Sequence, residues 1–212
     1  HADHIVTLDK YMKKTLLNKL YTEIKIVPPW PHIKAKTVNE KKIDNLKIKL
    51  KIKNKFVVMY SGNITNIHPL DTLIKVAKKL KFDRKFIFLF IGEGNFKKEI
   101  IKFKKNYNLD NIKLHTYFPL EKIDVSLSMA DLHVVSMGNN MIGIVHPCKI
   151  YNIINLFKPI MYLGPKKSHI GDLMKTHKNI FHANHNNTDA VIKILYKLQS
   201  KSKYKISYNK IF

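Results

Sequence analysis

The chain has 212 residues, of which 45% are hydrophobic and 10% aromatic, so it can build a core and is no disordered tail. Its formal net charge is +24, from 39 basic and 15 acidic residues, which draws it toward nucleic acid, anionic membrane or anionic ligands. Its single cysteine, Cys148, excludes an internal disulfide framework and a multi-cysteine zinc site, and it fits a reducing compartment.

The positive charge is almost all lysine, and Arg84 is the only arginine. Specific readers of nucleic acid favour the bidentate fork of arginine, so this composition argues against that role. Lysine enriched with isoleucine and asparagine, where glycine is scarce, reads first as compositional drift and second as selection for an anionic partner. No apolar run approaches the roughly 20 residues of a membrane-crossing helix. The chain opens on His1 without a leader pattern, which we read as a cut through a larger protein.

In chain order, residues 5–8 predict a strand, 10–20 a helix and 24–27 a second strand. Pro28, Pro29 and Pro31 then forbid helix and sheet and predict a stiff connector. Residues 33–54 are lysine-rich and poorly patterned, a linker or surface excursion with room for one short helix. A regular alternation follows. Apolar runs at 56–61, 85–91, 112–117, 132–137, 160–163 and 179–182 are separated by helical patterns at 69–80, 96–107, 120–129, from Pro147, and at 168–175, with a last one at 189–199. Residues 201–212 form a basic tail. Such alternation predicts an α/β fold, a Rossmann-like doubly wound parallel sheet covered on both faces. Ligands of such sheets sit beyond the carboxyl ends of the strands, which directs attention to the loops there.

The loop after the 56–61 run contains Gly62, Asn63 and His68, with Pro69 opening a helix. Taken alone it is as readily an ordinary connection as a binding loop. Gly92 and Gly94 flank Glu93 in a sharp turn, yet Lys97 stands where the dinucleotide fingerprint requires a third glycine. Tyr117, Phe118 and Pro119 are candidates to border a planar base, although aromatics there are more often core. The segment from Ser136 to Lys149 has two glycines, two asparagines and a Pro147 that opens a helix, an unusual connector and the main candidate site. A helix N-terminus exposes unpaired amides and favours a phosphate, so a phosphorylated ligand is expected there, offsetting Lys149 in the first helical turn. Cys148 near His146 lacks an orienting third group and reads as a packed thiol. His182 and His185 lie in a polar loop with no neighbouring carboxylate, so no metal is expected there. Asp131 is expected to support a helix–strand turn, and Glu93 its own turn.

Together, YSGN with His68, IGEG, MADLHVVS, GIV-PCK-Y and KPIMYLG resemble, in order, the donor-binding carboxyl-terminal domain of glycosyltransferase family 4, of the GT-B fold. The likeness is greatest to lipopolysaccharide and capsule enzymes with a PSK-Y segment, here Pro147, Cys148, Lys149, Ile150 and Tyr151. The resemblance implies that residues 1–27 end an acceptor domain, 28–54 connect, 55–200 bind the nucleotide-sugar and 201–212 trail. It implies sugar transfer from a nucleotide-sugar to an acceptor hydroxyl of a glycan or lipid-linked saccharide, in the cytoplasm or peripherally at the inner membrane face. It implies no metal and no cofactor, with any catalytic base in the acceptor domain.

Carried over by position, Gly62, Asn63, His68, Gly143, Ile144, Val145, Pro147, Lys149 and Tyr151 line the donor site, and Tyr117 and Phe118 border the base. Asn63 and His68 stand where many relatives have an arginine and a lysine. The paired glutamates of the family are replaced near Asn140 and Cys148, leaving Lys149 and Tyr151 as substitutes. Protonated His68 and Lys149 would then face the diphosphate. The alternative is a non-catalytic basic α/β module that binds nucleic acid or an anionic surface. A dehydrogenase is disfavoured by the missing glycine fingerprint.

Overall fold

The structure, a computed structural model, describes residues 4–20, 22–31 and 38–202. The expected basic tail lies almost entirely outside these residues. Strands β1 (Ile5–Thr7) and β2 (Ile24–Ile26) pair in parallel beside helix α1 (Lys10–Leu17). The Asp9 carboxylate caps α1 by accepting from the amides of Tyr11 and Met12 at 2.7 and 2.8 Å. Pro28 to Pro31 follow as an irregular segment, and Trp30 is exposed.

The rest is one six-stranded parallel sheet. Its strands are β3 (Phe56–Ser61), β4 (Phe86–Ile91), β5 (Ile112–His115), β6 (Leu132–Ser136), β7 (Ile160–Leu163) and β8 (Ile180–Ala183), in spatial order β5-β4-β3-β6-β7-β8. This is the expected Rossmann-like architecture. The central strands are buried on both faces, which explains their unbroken apolar runs. Along β3, Val58 and Tyr60 join one core with Leu73 and Val76, while Val57 and Met59 join the other.

Helices α3 (Asp71–Lys79), α4 (Lys97–Tyr107) and α8 (Thr188–Ser202) contribute to the first core, and α5 (Ile123–Ser128) to the second. Helix α2 (Glu40–Lys49) also packs on the second core through Ile43 and Leu46. The lysine-rich segment thus carries a short helix, as the sequence allowed, and that helix lies against the sheet. Its apolar residues recur at helical spacing but are outnumbered by the solvated lysines between them.

Other departures are local. Strand β5 stops at His115, which releases Tyr117 from the ladder. The helix expected at 120–129 opens as a 3₁₀ turn, Leu120–Lys122, before α5. The Pro147 helix settles into regular α geometry only at α6 (Lys149–Asn155). Helix α7 (His169–Thr176) is capped by Ser168, whose hydroxyl accepts from the Gly171 amide at 3.3 Å.

The chain runs outward from β3 through β4 to β5, then returns to place β6 on the other side of β3. The crevice at a parallel sheet's switch point is where ligands bind, here between the loops after β3 and β6. At the opposite, amino-terminal edge of the same two strands, Asp131 supports the turn from α5 into β6, as expected. Its carboxylate accepts from the Val57 amide at 2.7 Å, and its amide donates to the Val57 carbonyl at 2.9 Å. Asp131→Ala should therefore cost about 1–3 kcal/mol by stranding a buried amide, measured as a lower denaturation midpoint at unchanged slope. An unchanged midpoint would show the pair to be dispensable.

Candidate functional site at the switch point

Gly62 ends β3 at φ 139° and Gly92 ends β4 at φ 142°, conformations that favour glycine. The two turns abut, because a Cβ on Gly92 would overlap the Gly62 carbonyl. Asn63 is pinned from both sides. Its carbonyl accepts from the Tyr60 hydroxyl at 2.6 Å, and its side-chain oxygen accepts from the Tyr117 hydroxyl at 2.6 Å. Tyr117 is half exposed at the rim, and Phe118 stacks on His115 with centroids 4.2 Å apart.

Lys149 reaches back from α6 into this corner. Its Nζ lies 3.8 Å from the centroid of the Tyr60 ring and 2.6 Å from where a Cβ on Gly62 would sit. The Nζ is buried and has no hydrogen-bond partner. A buried ammonium without an anion is costly, and burial brings the Lys149 pKa down to about 7. The ring face offsets part of that cost. The arrangement is a candidate anion site in which the amine is already in place.

His68 differs from expectation. Its Nδ1–H donates to the Ser136 carbonyl at 2.9 Å, the direction that a carbonyl imposes. Burial, and then the charge of Lys149, holds its pKa below the ordinary histidine range. The ring is therefore neutral at pH 7, and its Nε2 is an acceptor. It suits a sugar or ribose hydroxyl better than a phosphate oxygen, so a protonated clamp does not describe this site before an anion arrives. Replacing His68 by alanine should weaken binding of a hydroxyl-bearing anionic ligand here about tenfold, the worth of one neutral hydrogen bond. Unchanged affinity would remove His68 from the site.

The main chain of the long loop also departs from expectation. The amides of Ile144 and Val145 both donate to the Met141 carbonyl, at 3.1 and 2.9 Å, and those of Ile150 and Tyr151 make tight turns back to Pro147 and Cys148. Gly143, at φ 73°, lies against α1, where a Cβ would meet the Tyr11 carbonyl and the Thr15 hydroxyl. Tight 3₁₀-type turns thus absorb amides that a straight helix start would offer to a phosphate. The charge in this corner comes from the Lys149 side chain. Pro147 is buried, and the Tyr151 hydroxyl is taken by His146 and His169 at 3.1 and 2.9 Å.

Cys148 keeps its thiol protonated, since burial raises its pKa. His182 and His185 are engaged by the carbonyls of Gly164 and Met137, at 2.8 and 2.9 Å. The shallow hollow formed by Asp71, Ile74, Phe96 and Tyr107 shares no residue with this constellation. The structure thus brings together Gly62, Asn63, His68, Tyr117 and Lys149. It sets Gly143 and Tyr151 toward the β1–α1–β2 unit. Sequence reasoning missed Tyr60, whose ring supports Lys149. An aromatic within an apolar strand carries no signal apart from its neighbours.

A parallel sheet with a buried, unpaired lysine beside its switch point makes this a Rossmann-like α/β domain with a candidate anion site. The model of the family described as glycosyl transferases group 1 matches residues 42–146. Across 187 residues the chain is 26% identical to WcaI of Escherichia coli K12, named as a colanic acid biosynthesis glycosyl transferase, covering 85% of this chain and 45% of WcaI. Over 122 residues it is 23% identical to the glycosyltransferase WbjE of Pseudomonas aeruginosa, covering 58% of this chain and 30% of WbjE. The chain thus spans less than half the length of these curated relatives. Its fold is that of Anabaena HepE, solved in complex with UDP-glucose (TM-score 0.77, 14% identity, 95% of this chain and 55% of that one). It is also that of WaaG, a glycosyltransferase of lipopolysaccharide biosynthesis (TM-score 0.74, 12% identity, 93% and 54%). The expected GT-B class is thereby met.

Proposed function

We propose that this chain is the donor-binding half of a glycosyltransferase that moves a sugar from a nucleoside diphosphate to an acceptor hydroxyl. The observation that carries the reading is the buried, unpartnered Nζ of Lys149 at Gly62, beside the switch-point crevice. Departure of the nucleoside diphosphate builds negative charge on its phosphates. A cation already positioned there gains more in the transition state than in the ground state. Lys149 takes that role, His68 Nε2 accepts from a hydroxyl of the donor, and Tyr117 borders the base. Neither a catalytic base nor a metal or cofactor is assigned to these residues. The acceptor is a glycan or lipid-linked saccharide, as the names of the relatives suggest. The family match weighs against a non-catalytic module that binds nucleic acid.

The deciding experiment titrates the chain with UDP, other nucleoside diphosphates, UMP and short DNA. Saturable binding of a diphosphate, weaker for UMP and weakened at least roughly tenfold by Lys149→Met, supports the reading. Salt-dependent binding of DNA tighter than of any diphosphate would replace it with the nucleic-acid module. The lysine-rich surface further suggests peripheral attachment to an anionic bilayer, at about 1 kcal/mol per basic residue near the surface. Flotation of the full-length enzyme with phosphatidylserine or phosphatidylglycerol vesicles at low and high salt tests this, and no flotation at low salt rejects it. Among the described residues, no helix is long and apolar enough to cross a membrane.

A further inference from the structure

We propose that Asp9, His146 and His169 form a binding site for one divalent transition-metal ion of the zinc or cobalt kind, joining the β1–α1–β2 unit to the sheet domain. Their ligand atoms lie within 4.8 Å of one another, the one such group among the described residues. The three come from separate parts of the chain: the start of α1, the loop before α6, and the start of α7. The carboxylate is preset, because its Oδ1 is occupied by the two capping amides while its Oδ2 faces His146 Nδ1 at 2.6 Å. The side chains of His146 and Asp9 are 1% and 7% exposed, and half-buried His169 leaves a way in from solvent. Lys10, next to Asp9 in sequence, pairs instead with Asp172 at 2.8 Å, and among the described residues no lysine forms an ion pair with Asp9.

The chemistry of the donor set selects the ion. Two imidazoles and one carboxylate suit zinc and its first-row neighbours, whereas magnesium and calcium prefer oxygen. A tetrahedral ion with bonds of about 2.0–2.1 Å holds its ligand atoms about 3.3 Å apart. The set spans that spacing already, so closure requires side-chain shifts on the order of 1 Å, small against rotamer freedom. The His146 and His169 rings stand with centroids 4.0 Å apart. The Tyr151 hydroxyl, within hydrogen-bond distance of an Nε2 on both rings, is placed to orient them, as groups behind metal ligands do. His182 and His185 offer no rival, since backbone carbonyls occupy both. The proposal is independent of the donor reading, because none of its three ligands is placed in contact with the diphosphate.

The test uses the full chain without a histidine tag. Zinc is titrated calorimetrically against a competing chelator, and cobalt is followed by its visible absorption. We expect one saturable site per chain, tetrahedral cobalt bands and a raised melting temperature. Asp9→Asn and His169→Ala should each weaken binding by at least the roughly 10 to 100-fold that loss of an outer partner costs. His182→Ala/His185→Ala should leave it unchanged. No saturable binding, or binding kept by His169→Ala and lost in the His182/His185 variant, overturns the site. His169 is only half buried, so its alanine variant should fold and decides the matter if Asp9→Asn does not. UDP titration run in parallel keeps failure of this site distinct from failure of the donor reading.

Discussion

Lys149→Met should make the protein more stable at pH 7 and nearly blind to nucleoside diphosphates. Burial takes the Lys149 pKa from 10.5 to about 7 in the folded chain. A cation whose pKa falls on folding penalises the folded state, on the order of a few kcal/mol. Contact with the Tyr60 ring returns about 2 kcal/mol of that when desolvated. Methionine keeps the length and apolar stem and removes the charge, so the expected net gain is about 1–3 kcal/mol. The sign with pH follows from linkage. Between pH 7 and 10.5 the unfolded chain binds the proton and the folded chain does not, so wild-type stability rises with pH there. The advantage of the variant is therefore full at and below pH 7 and vanishes as pH approaches 10.5. Urea midpoints at pH 6.5, 8.5 and 10 read this directly. Loss of one charge-assisted contact to phosphate should weaken UDP binding by roughly 10 to 150-fold. Equal stability of the two proteins at pH 6.5 would show that Nζ is not buried as described.

Gly92→Ala should act in the opposite direction, losing stability and binding together. The added Cβ overlaps the backbone carbonyl of Gly62, which cannot swing aside as a side chain does, and φ 142° is itself strained for alanine. The expected cost is about 3 kcal/mol or more. Relief of the overlap must move the β3 turn and with it Asn63, which the Tyr60 and Tyr117 hydroxyls hold. Gly62→Ala is the informative comparison. Its new Cβ meets only the flexible end of Lys149, so it should cost less stability while displacing the ammonium. A Gly92→Ala protein with wild-type midpoint and UDP affinity would show that the two glycine turns do not abut.

The sheet was readable because its physics is local. FVVMYS, FIFLFI and IMYL can only be buried strands, and the turns that end them carry glycine where the backbone requires it. Helix α2 was only faintly legible because four lysines outnumber the two apolar residues, Ile43 and Leu46, that it sets against the sheet. The neutral state of His68 was unreadable, since it depends on the Ser136 carbonyl 68 residues away and on burial by the fold. The role expected of the Ile144 and Val145 amides rested on a straight helix start, and the tight turns before α6 redirect them. Lys149 was singled out from sequence, but its place over Tyr60 required the crossover that sets β6 beside β3. Asp9 and His146 stand 137 positions apart, and no periodicity joins them.

Proton uptake on UDP binding would report the Lys149 amine becoming an ammonium against the diphosphate. Calorimetric titrations at pH 8 in two buffers of different ionisation enthalpy give the number of protons taken up per UDP bound. A lysine that is mostly neutral when its corner is empty, and becomes an ammonium against a diphosphate, predicts an uptake of close to one proton. That uptake should vanish, along with most of the affinity, in Lys149→Met. Tight UDP binding with no buffer dependence, unchanged in that variant, would mean that the diphosphate sits elsewhere.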